Sequence, residues 1–254
     1  MIWSEPVFLL LIAFAVGALI GAVGVGGILL IPALAAFGRL GMHEAMATAL
    51  FTFTFTGITG TLLFQRKGSI DWRITIPVCA GALRFAFVGA WLNSRMKPQM
   101  LALLLAAVII FAGLYTLASW RAANKTAFDG QLRAQQALLG GIGSVAGFGS
   151  GLTGVGGPAL SVPLMVLFGF PALASIGASQ VIQIIAAISG TLGNLKYGAI
   201  NFALALPVTV AEVLGVFVGA ALAHAVNQLV LRRFVGLLCI PVGVFLIGQA
   251  LGWF

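Results

Sequence analysis

The sequence predicts an all-α, polytopic membrane helix bundle of two four-segment repeats, and three observations carry that prediction. Of the 254 residues, 61% are hydrophobic and only 7% are charged, with a mean hydropathy of +1.15; a water-soluble domain of this size is not built that way. The apolar stretches are long and do not alternate, which suits spanning helices of about 20 residues and excludes the roughly ten-residue strands of a membrane barrel. The chain also matches itself at one constant offset.

Apolar segments lie at 6–37, 44–64, 73–94, 99–119, 134–168, 172–195, 202–226 and 230–252, with a polar connector near 120–133. The expected organisation is a first membrane repeat over 1–119, a connecting loop over 120–133 and a second repeat over 134–254. A shift of 130 residues lays Gly24-Val25-Gly26-Gly27 on Gly154-Val155-Gly156-Gly157, Gly60-Thr61-Leu62 on Gly190-Thr191-Leu192 and Gly68 on Gly198. The same shift pairs Ile70 with Ile200, Asp71 with Asn201, Pro77 with Pro207, and Gly89-Ala90 with Gly219-Ala220. Internal repeats of this kind mark secondary transporters, whose substrate site lies near the midplane where the repeats meet.

The first segment opens after Met1-Ile2-Trp3-Ser4-Glu5-Pro6, which has no basic region, and reads as an uncleaved span. Segments 6–37 and 134–168 each exceed 30 residues, or about 48 Å as helix against a hydrocarbon core of about 30 Å. Each must tilt strongly or break, and the glycine cluster is the obvious break because glycine carries a steep helix penalty. Pro158 stands where a new helix would place its first residue. Each repeat therefore opens with a glycine-broken helix.

Charge bears on whether these broken elements cross or re-enter. The net charge of +8, from 13 Lys/Arg against 5 Asp/Glu, reads first as loop residues held on the cytoplasmic side. If both broken elements cross, the basic loop residues divide 5 (Arg39, Arg95, Lys97, Arg232, Arg233) to 7 (Arg66, Lys67, Arg73, Arg121, Lys125, Arg133, Lys196). If both re-enter, Arg232 and Arg233 change sides and Lys196 joins Arg39, Arg95 and Lys97, giving 8 to 4. The second arrangement obeys the positive-inside rule better and makes the repeats inverted.

At a glycine break, the first N–H groups of the following half-helix lack intrahelical partners and the positive dipole end points inward. Gly26, Gly27, Gly156 and Gly157 are thus expected to offer two helix ends to one oxyanion, the alternative being glycines that only permit close packing. Deep within predicted spans lie two charges, Arg84 in 73–94 and Glu212 in 202–226. Each costs about 2.5–3.5 kcal/mol on insertion scales, so each calls for a cavity or a partner. Arg84 reads as an anion attractant and Glu212 as a proton coupler; the alternatives are an ion pair between the repeats, or an Arg84 that snorkels to a headgroup.

Thr48, Thr52, Thr56 and Thr59 share a helix face, as do Gln180 and Gln183, with Ser179, Thr191 and Asn194 nearby. Hydroxyls and amides bind oxyanions while staying neutral, although the same groups also make ordinary interhelical hydrogen bonds. His43 and His224 lie near segment ends, and Cys79 and Cys239 stand far apart in apolar runs that suggest neither a metal site nor a disulfide. The 19 Phe, 5 Trp and 2 Tyr suit lipid-facing and interfacial surfaces. No phosphate-binding G-x-x-x-x-G-K-[ST] occurs and no nucleophile is placed with a base, so neither ATP hydrolysis nor an enzyme is expected.

The chain resembles the sulfite exporter TauE/SafE family of bacterial membrane permeases. The resemblance rests on Gly21-Ala22-Val23-Gly24-Val25-Gly26-Gly27 followed by Ile28-Leu29-Leu30-Ile31-Pro32, on its echo from Gly147 through Gly156-Gly157-Pro158 to Val162-Pro163, and on the Gly68-Ser69-Ile70-Asp71-Trp72 loop. It implies movement of small sulfur oxyanions or organosulfonates such as sulfite or sulfoacetate, usually outward and without ATP. Two positions depart from the family pattern: Arg84-Phe85 stands where a small Gly-Ala pair is usual, and Glu212 replaces a small residue.

The expected site is thus Gly26, Gly27, Gly156, Gly157, Arg84, Thr52, Thr56, Gln180 and Gln183 for the substrate and Glu212 for the proton, with no cofactor and no metal. The expected partners are a small anion, the lipid bilayer and a second copy in a homodimer, with no nucleic acid. The expected location is the bacterial cytoplasmic (inner) membrane, multi-pass. A passive anion channel for another oxyanion is the alternative function.

Overall fold

A computed structural model describes residues 4–24, 26–117, 126–197, 199–225, 237, 240–248 and 250–251. Among them the regular elements are all helical: α1 (Ser4–Val23), a 3-10 turn (Gly26–Leu29), α2 (Leu30–Ala36), α3 (Met42–Arg66), α4 (Trp72–Asn93), α5 (Pro98–Leu117), α6 (Leu132–Thr153), α7 (Pro158–Leu167), α8 (Ala172–Tyr197) and α9 (Phe202–Ala225). Helices α1, α3, α4, α5, α8 and α9 are long and apolar enough to cross a membrane. Helix α6 has the length but not the apolarity, because glycines, Arg133, Gln135, Gln136 and Ser144 dilute it. The last expected segment, 230–252, is described only in part and is helical at 240–248. Gly198, Cys239, Arg121, Lys125, Arg232, Arg233 and the first part of the connector, 120–125, lie outside the described residues.

Both long first segments break where the glycines stand. Gly24 (φ +80°) ends α1 with its N–H bonded to Ile20, and Gly154 (φ +70°) ends α6 with its N–H bonded to Ser150. Both are left-handed caps that a residue with a Cβ adopts only under strain. Pro158 then starts α7 at a position where its missing N–H costs nothing. The third helices of the repeats are capped alike: Asp71 accepts from the N–H of Arg73 at the start of α4, and Asn201 accepts from that of Leu204 at the start of α9.

Glycine contacts fix the helix directions. A Cβ on Gly17 would strike the backbone of Glu212 and one on Gly21 that of Val216, so α1 and α9 run the same way. Gly143 meets Val78, Gly147 meets Ala82 and Gly151 meets Ala86, so α6 and α4 also run together. Helices α3 and α8 cross antiparallel, since Gly60 meets Gln180 whereas Leu50 meets Gly190. Thr48 bonds the start of α9, and Thr59 lies beside Thr209 farther along, so α3 and α9 are parallel. It follows that α1 and α3 point the same way, and that the turn and α2 carry the chain back between them.

Exchanging the repeats maps the α1–α9 packing onto α6–α4, the α3–α9 packing onto α8–α4, and the α3–α8 crossing onto itself. The halves matched by the 130-residue shift interleave at this crossing, and each half's first helix buries its glycine face on the other half's third helix. The largest apolar cluster gathers α1, α2 and parts of α3, α5 and α9 around Ile20, Ile28, Leu30 and Phe53.

Candidate functional site

The site forms where the two breaks meet the α3–α8 crossing. Gly24, Gly27, Phe53, Val155, Pro158, Ala159 and Gln183 line a gap between the packed elements that is too narrow to hold a water molecule. From the first break, Gly27 abuts the Phe53 ring and the Val155 carbonyl. From the second, Gly156 (φ +85°) abuts the same ring, and Gly157 lies against Ile182. The amides of Gly27, Gly156 and Gly157 donate no main-chain hydrogen bond to a described residue. At the opening of each return segment these are the groups that helix geometry leaves for a ligand.

Polar groups surround this space through side chains of α3 and α8. Gln183 Nε2 donates to Thr56 Oγ1 (2.7 Å) and to the Phe53 carbonyl (3.3 Å). Gln180 Nε2 donates to the Ile20 carbonyl (3.2 Å) at the end of α1, while its Oε1 has no hydrogen-bond partner among the described residues. The hydroxyls of Thr52 and Thr56 donate back to the carbonyls of Ala49 and Phe53 on their own helix. All four side chains are buried. The Thr52 and Thr56 hydroxyl protons and both Gln183 amide protons are thus committed to neighbours, and a bound anion would have to draw the Gln183 amide away from Thr56.

Glu212 is fully buried on α9, where α1 and α3 pack against it. Neither carboxyl oxygen has a hydrogen-bond partner of good geometry among the described residues, and Thr52 is the side chain it faces. Thr52 lies one helical turn before Thr56, whose hydroxyl accepts from Gln183, a residue lining the gap.

Gly27, Gly156, Gly157, Thr52, Thr56, Gln180, Gln183 and Glu212 thus belong to one region. Gly26 is set differently, against the backbone of α1 at Val16 and Ile20. Arg84 is apart: it is exposed on the outside of α4, in a groove with Pro77, Gly81, Gln136, Gly140 and Ser144. Arg84 therefore does not join the substrate residues with which the sequence groups it, and the alternative, an Arg84–Glu212 pair across the repeat interface, does not form either, because the second helices α3 and α8 occupy that interface while α4 packs on α6 and α9 on α1. Thr59 turns outward toward Thr209, and Thr48 accepts from the N–H of Asn201.

Sequence reasoning passed over Phe53, whose ring separates the two breaks. The 130-residue shift lays Phe53 on Gln183, and that signal could have found it. A second polar tie, His43 Nδ1 to Asn93 Oδ1 (3.0 Å) with Asn93 Nδ2 donating to the Leu152 carbonyl (2.7 Å), anchors the end of α4 beside the second break. Because Leu152 offers only an acceptor, the Asn93 oxygen faces His43, and the imidazole donates from Nδ1.

A bundle of apolar membrane-length helices with two glycine-broken segments around a buried polar crossing is the architecture of a multi-pass membrane protein, and the comparisons with known proteins make it a membrane transporter. The profile of the family described as sulfite exporter TauE/SafE matches residues 9–246, and the chain belongs to that family. The chain is 27% identical over 247 residues to the probable membrane transporter protein YdhB of Bacillus subtilis, covering 94% of this chain and 99% of that one. It is 29% identical over 241 residues to the probable membrane transporter protein YunE of the same organism, covering 86% of each. A more distant relative is the probable membrane transporter protein MJ0441 of Methanocaldococcus jannaschii, 21% identical over 91% of this chain and 92% of that one. No solved structure matches the chain.

Proposed function

We propose that this transporter is a secondary carrier that exports small sulfur-containing anions such as sulfite or sulfoacetate across the bacterial inner membrane, coupled to protons through Glu212. The convergence of both glycine breaks on one gap carries the reading. Gly27 and Gly156 of the two breaks lie against the same Phe53 ring, their amides and that of Gly157 donate no main-chain hydrogen bond to a described residue, and the Gln183 amide lines the same space; such uncharged donors suit an oxyanion that must be both held and released.

The helix directions support inverted repeats: α1 and α6, equivalent under the 130-residue shift, pack parallel to α9 and α4, and the equivalent α3 and α8 cross antiparallel. In this arrangement the broken elements re-enter, and the end carrying Arg66, Lys67, Arg73 and Arg133 faces the cytoplasm. Coupling rests on the position of Glu212. Protonated, it can donate to Thr52, whose own proton is turned to Ala49; deprotonated, it meets no cation among the described residues. Proton loss therefore changes the contact between α9 and α3, the helix that also carries Thr56.

The test is uptake of labelled sulfite and sulfoacetate into vesicles preloaded with the same anion, with and without a proton gradient. Counterflow accelerated by the gradient is expected. Flux without counterflow would identify a channel, and no flux of either anion would remove the substrate assignment.

A further inference from the structure

The 130-residue shift relates two outer faces of the protein, and they differ in chemistry. On the α1–α9 face, Leu11, Phe14, Leu206, Val210, Leu214 and Phe217 are exposed, an apolar surface suited to lipid tails. On the α4–α6 face, the shift places Arg84 where Leu214 stands, Ser144 where Phe14 stands and Gly141 where Leu11 stands. The groove between α4 and α6 holds Arg84 together with Gln136, Ser144 and the open backbone at Gly140. Arg84 makes no hydrogen bond or ion pair with a described residue. It lies about 18 Å along α4 from Trp72, at 1.5 Å per residue, well below the basic end of the bundle.

A bare guanidinium on the lipid side at that depth is costly unless an anion comes to it. We infer that the α4–α6 groove is a binding site for an anionic phospholipid, whose phosphate pairs with Arg84 while Gln136 and Ser144 contact the headgroup. Three observations favour this occupant. Helical side chains lean toward the helix N-terminus, so Arg84 points up the groove toward Gln136 and the basic end, from which a headgroup enters. That end, with Arg66, Lys67, Arg73 and Arg133, concentrates anionic lipid. A second copy of the chain supplies no matching carboxylate: Glu44 is bound to Asn201, Asp71 caps α4, Glu212 is buried, and Glu5 and Asp129 lie outside the spans.

The experiment measures the melting temperature of the purified full chain in detergent with added phosphatidylglycerol or phosphatidylcholine, and its mass by light scattering. Phosphatidylglycerol is expected to raise the melting temperature above the phosphatidylcholine value. That difference should vanish in Arg84→Leu, persist in part in Arg84→Lys and persist in the surface control Arg73→Leu. Gly140→Leu, where an added Cβ has room, fills the groove without removing charge and should also abolish it. An equal shift in Arg84→Leu, no shift in wild type, or an equal loss in Arg73→Leu would overturn the site. So would a dimer that Arg84→Leu dissociates, which would give the face to a second copy. Stabilisation by sulfite in lipid-free detergent that depends on Arg84 would return this residue to the substrate.

Discussion

The two repeats share a backbone plan and differ in the side chains that do chemistry. Equivalent positions hold the left-handed caps Gly24 and Gly154, the caps Asp71 and Asn201, and the glycines that seat α1 on α9 and α6 on α4. At the crossing the symmetry lapses: α3 brings Phe53 and threonines, and α8 brings Gln180 and Gln183. On the third helices it lapses again, with Glu212 opposite Ala82 and Arg84 opposite Leu214. Duplication supplies a scaffold that must repeat, because helix packing tolerates few residue types at a close approach. Under the proposed function, a carrier of one ligand and one proton has no use for two copies of each polar group, and the departures from symmetry are where that proposal is tested.

The largest break in that comparison is Glu212→Gln, which keeps the shape and removes the titrating group. Gradient-driven anion transport in vesicles should fall by an order of magnitude or more, while exchange of anion for anion persists. Retained gradient-driven transport would take Glu212 out of the coupling.

The pair Gly26 and Gly156 comes next, since the shift equates them while the structure sets them apart. A side chain on Gly26 strikes the backbone of α1, so Gly26→Val should cost about 1–3 kcal/mol of stability through overpacking. A side chain on Gly156 faces the Phe53 ring from a left-handed backbone. Gly156→Val should cost about 1–2 kcal/mol in strain and abolish stabilisation by sulfite. Thermal unfolding of both variants with and without the anion separates them; an equal response to sulfite would mean that the glycines only pack.

These contrasts mark the limit of what the sequence reveals. The helical class, the duplication and the broken first segments are legible because hydropathy and the constant offset report burial and backbone need directly. The convergence of Thr56 with Gln183 is half legible: periodicity puts each on a helix face without saying that the two faces meet. The expected meeting of Arg84 with Glu212 fails for a tertiary reason. Each third helix crosses to the first helix of the other repeat, and nothing local at position 84 or 212 encodes that exchange.

Within the crossing, Gln183→Leu and Thr56→Val sharpen the comparison of the second helices. Gln183 supplies an amide to the gap and a bond to Thr56, so its loss should weaken sulfite binding about tenfold, equivalent to about 1.4 kcal/mol. Thr56→Val removes an acceptor for that amide and leaves the amide free for the anion, with a stability cost of about 0.5–1.5 kcal/mol. Binding isotherms for sulfite should therefore fall steeply for the first variant and little for the second. The reverse order would transfer the anion contact to the threonine.

The smallest effect concerns the two equivalent caps. Asp71 accepts from one main-chain N–H, and its loss to Ala should cost about 0.5–2 kcal/mol, as for helix N-caps in general. Asn201 caps α9 through Leu204, and it also donates from Nδ2 to Glu44 Oε1 (3.1 Å) and from its main-chain N–H to Thr48 Oγ1 (3.0 Å). Alanine at 201 removes the cap and leaves Glu44 without that donor, whereas the Thr48 contact, made by backbone, survives. Asn201→Ala should therefore destabilise more than Asp71→Ala in thermal unfolding, with the difference narrowing in a Glu44→Gln background, where the group left without its donor no longer carries charge. An undiminished difference in that background would place the extra cost in the cap geometry itself.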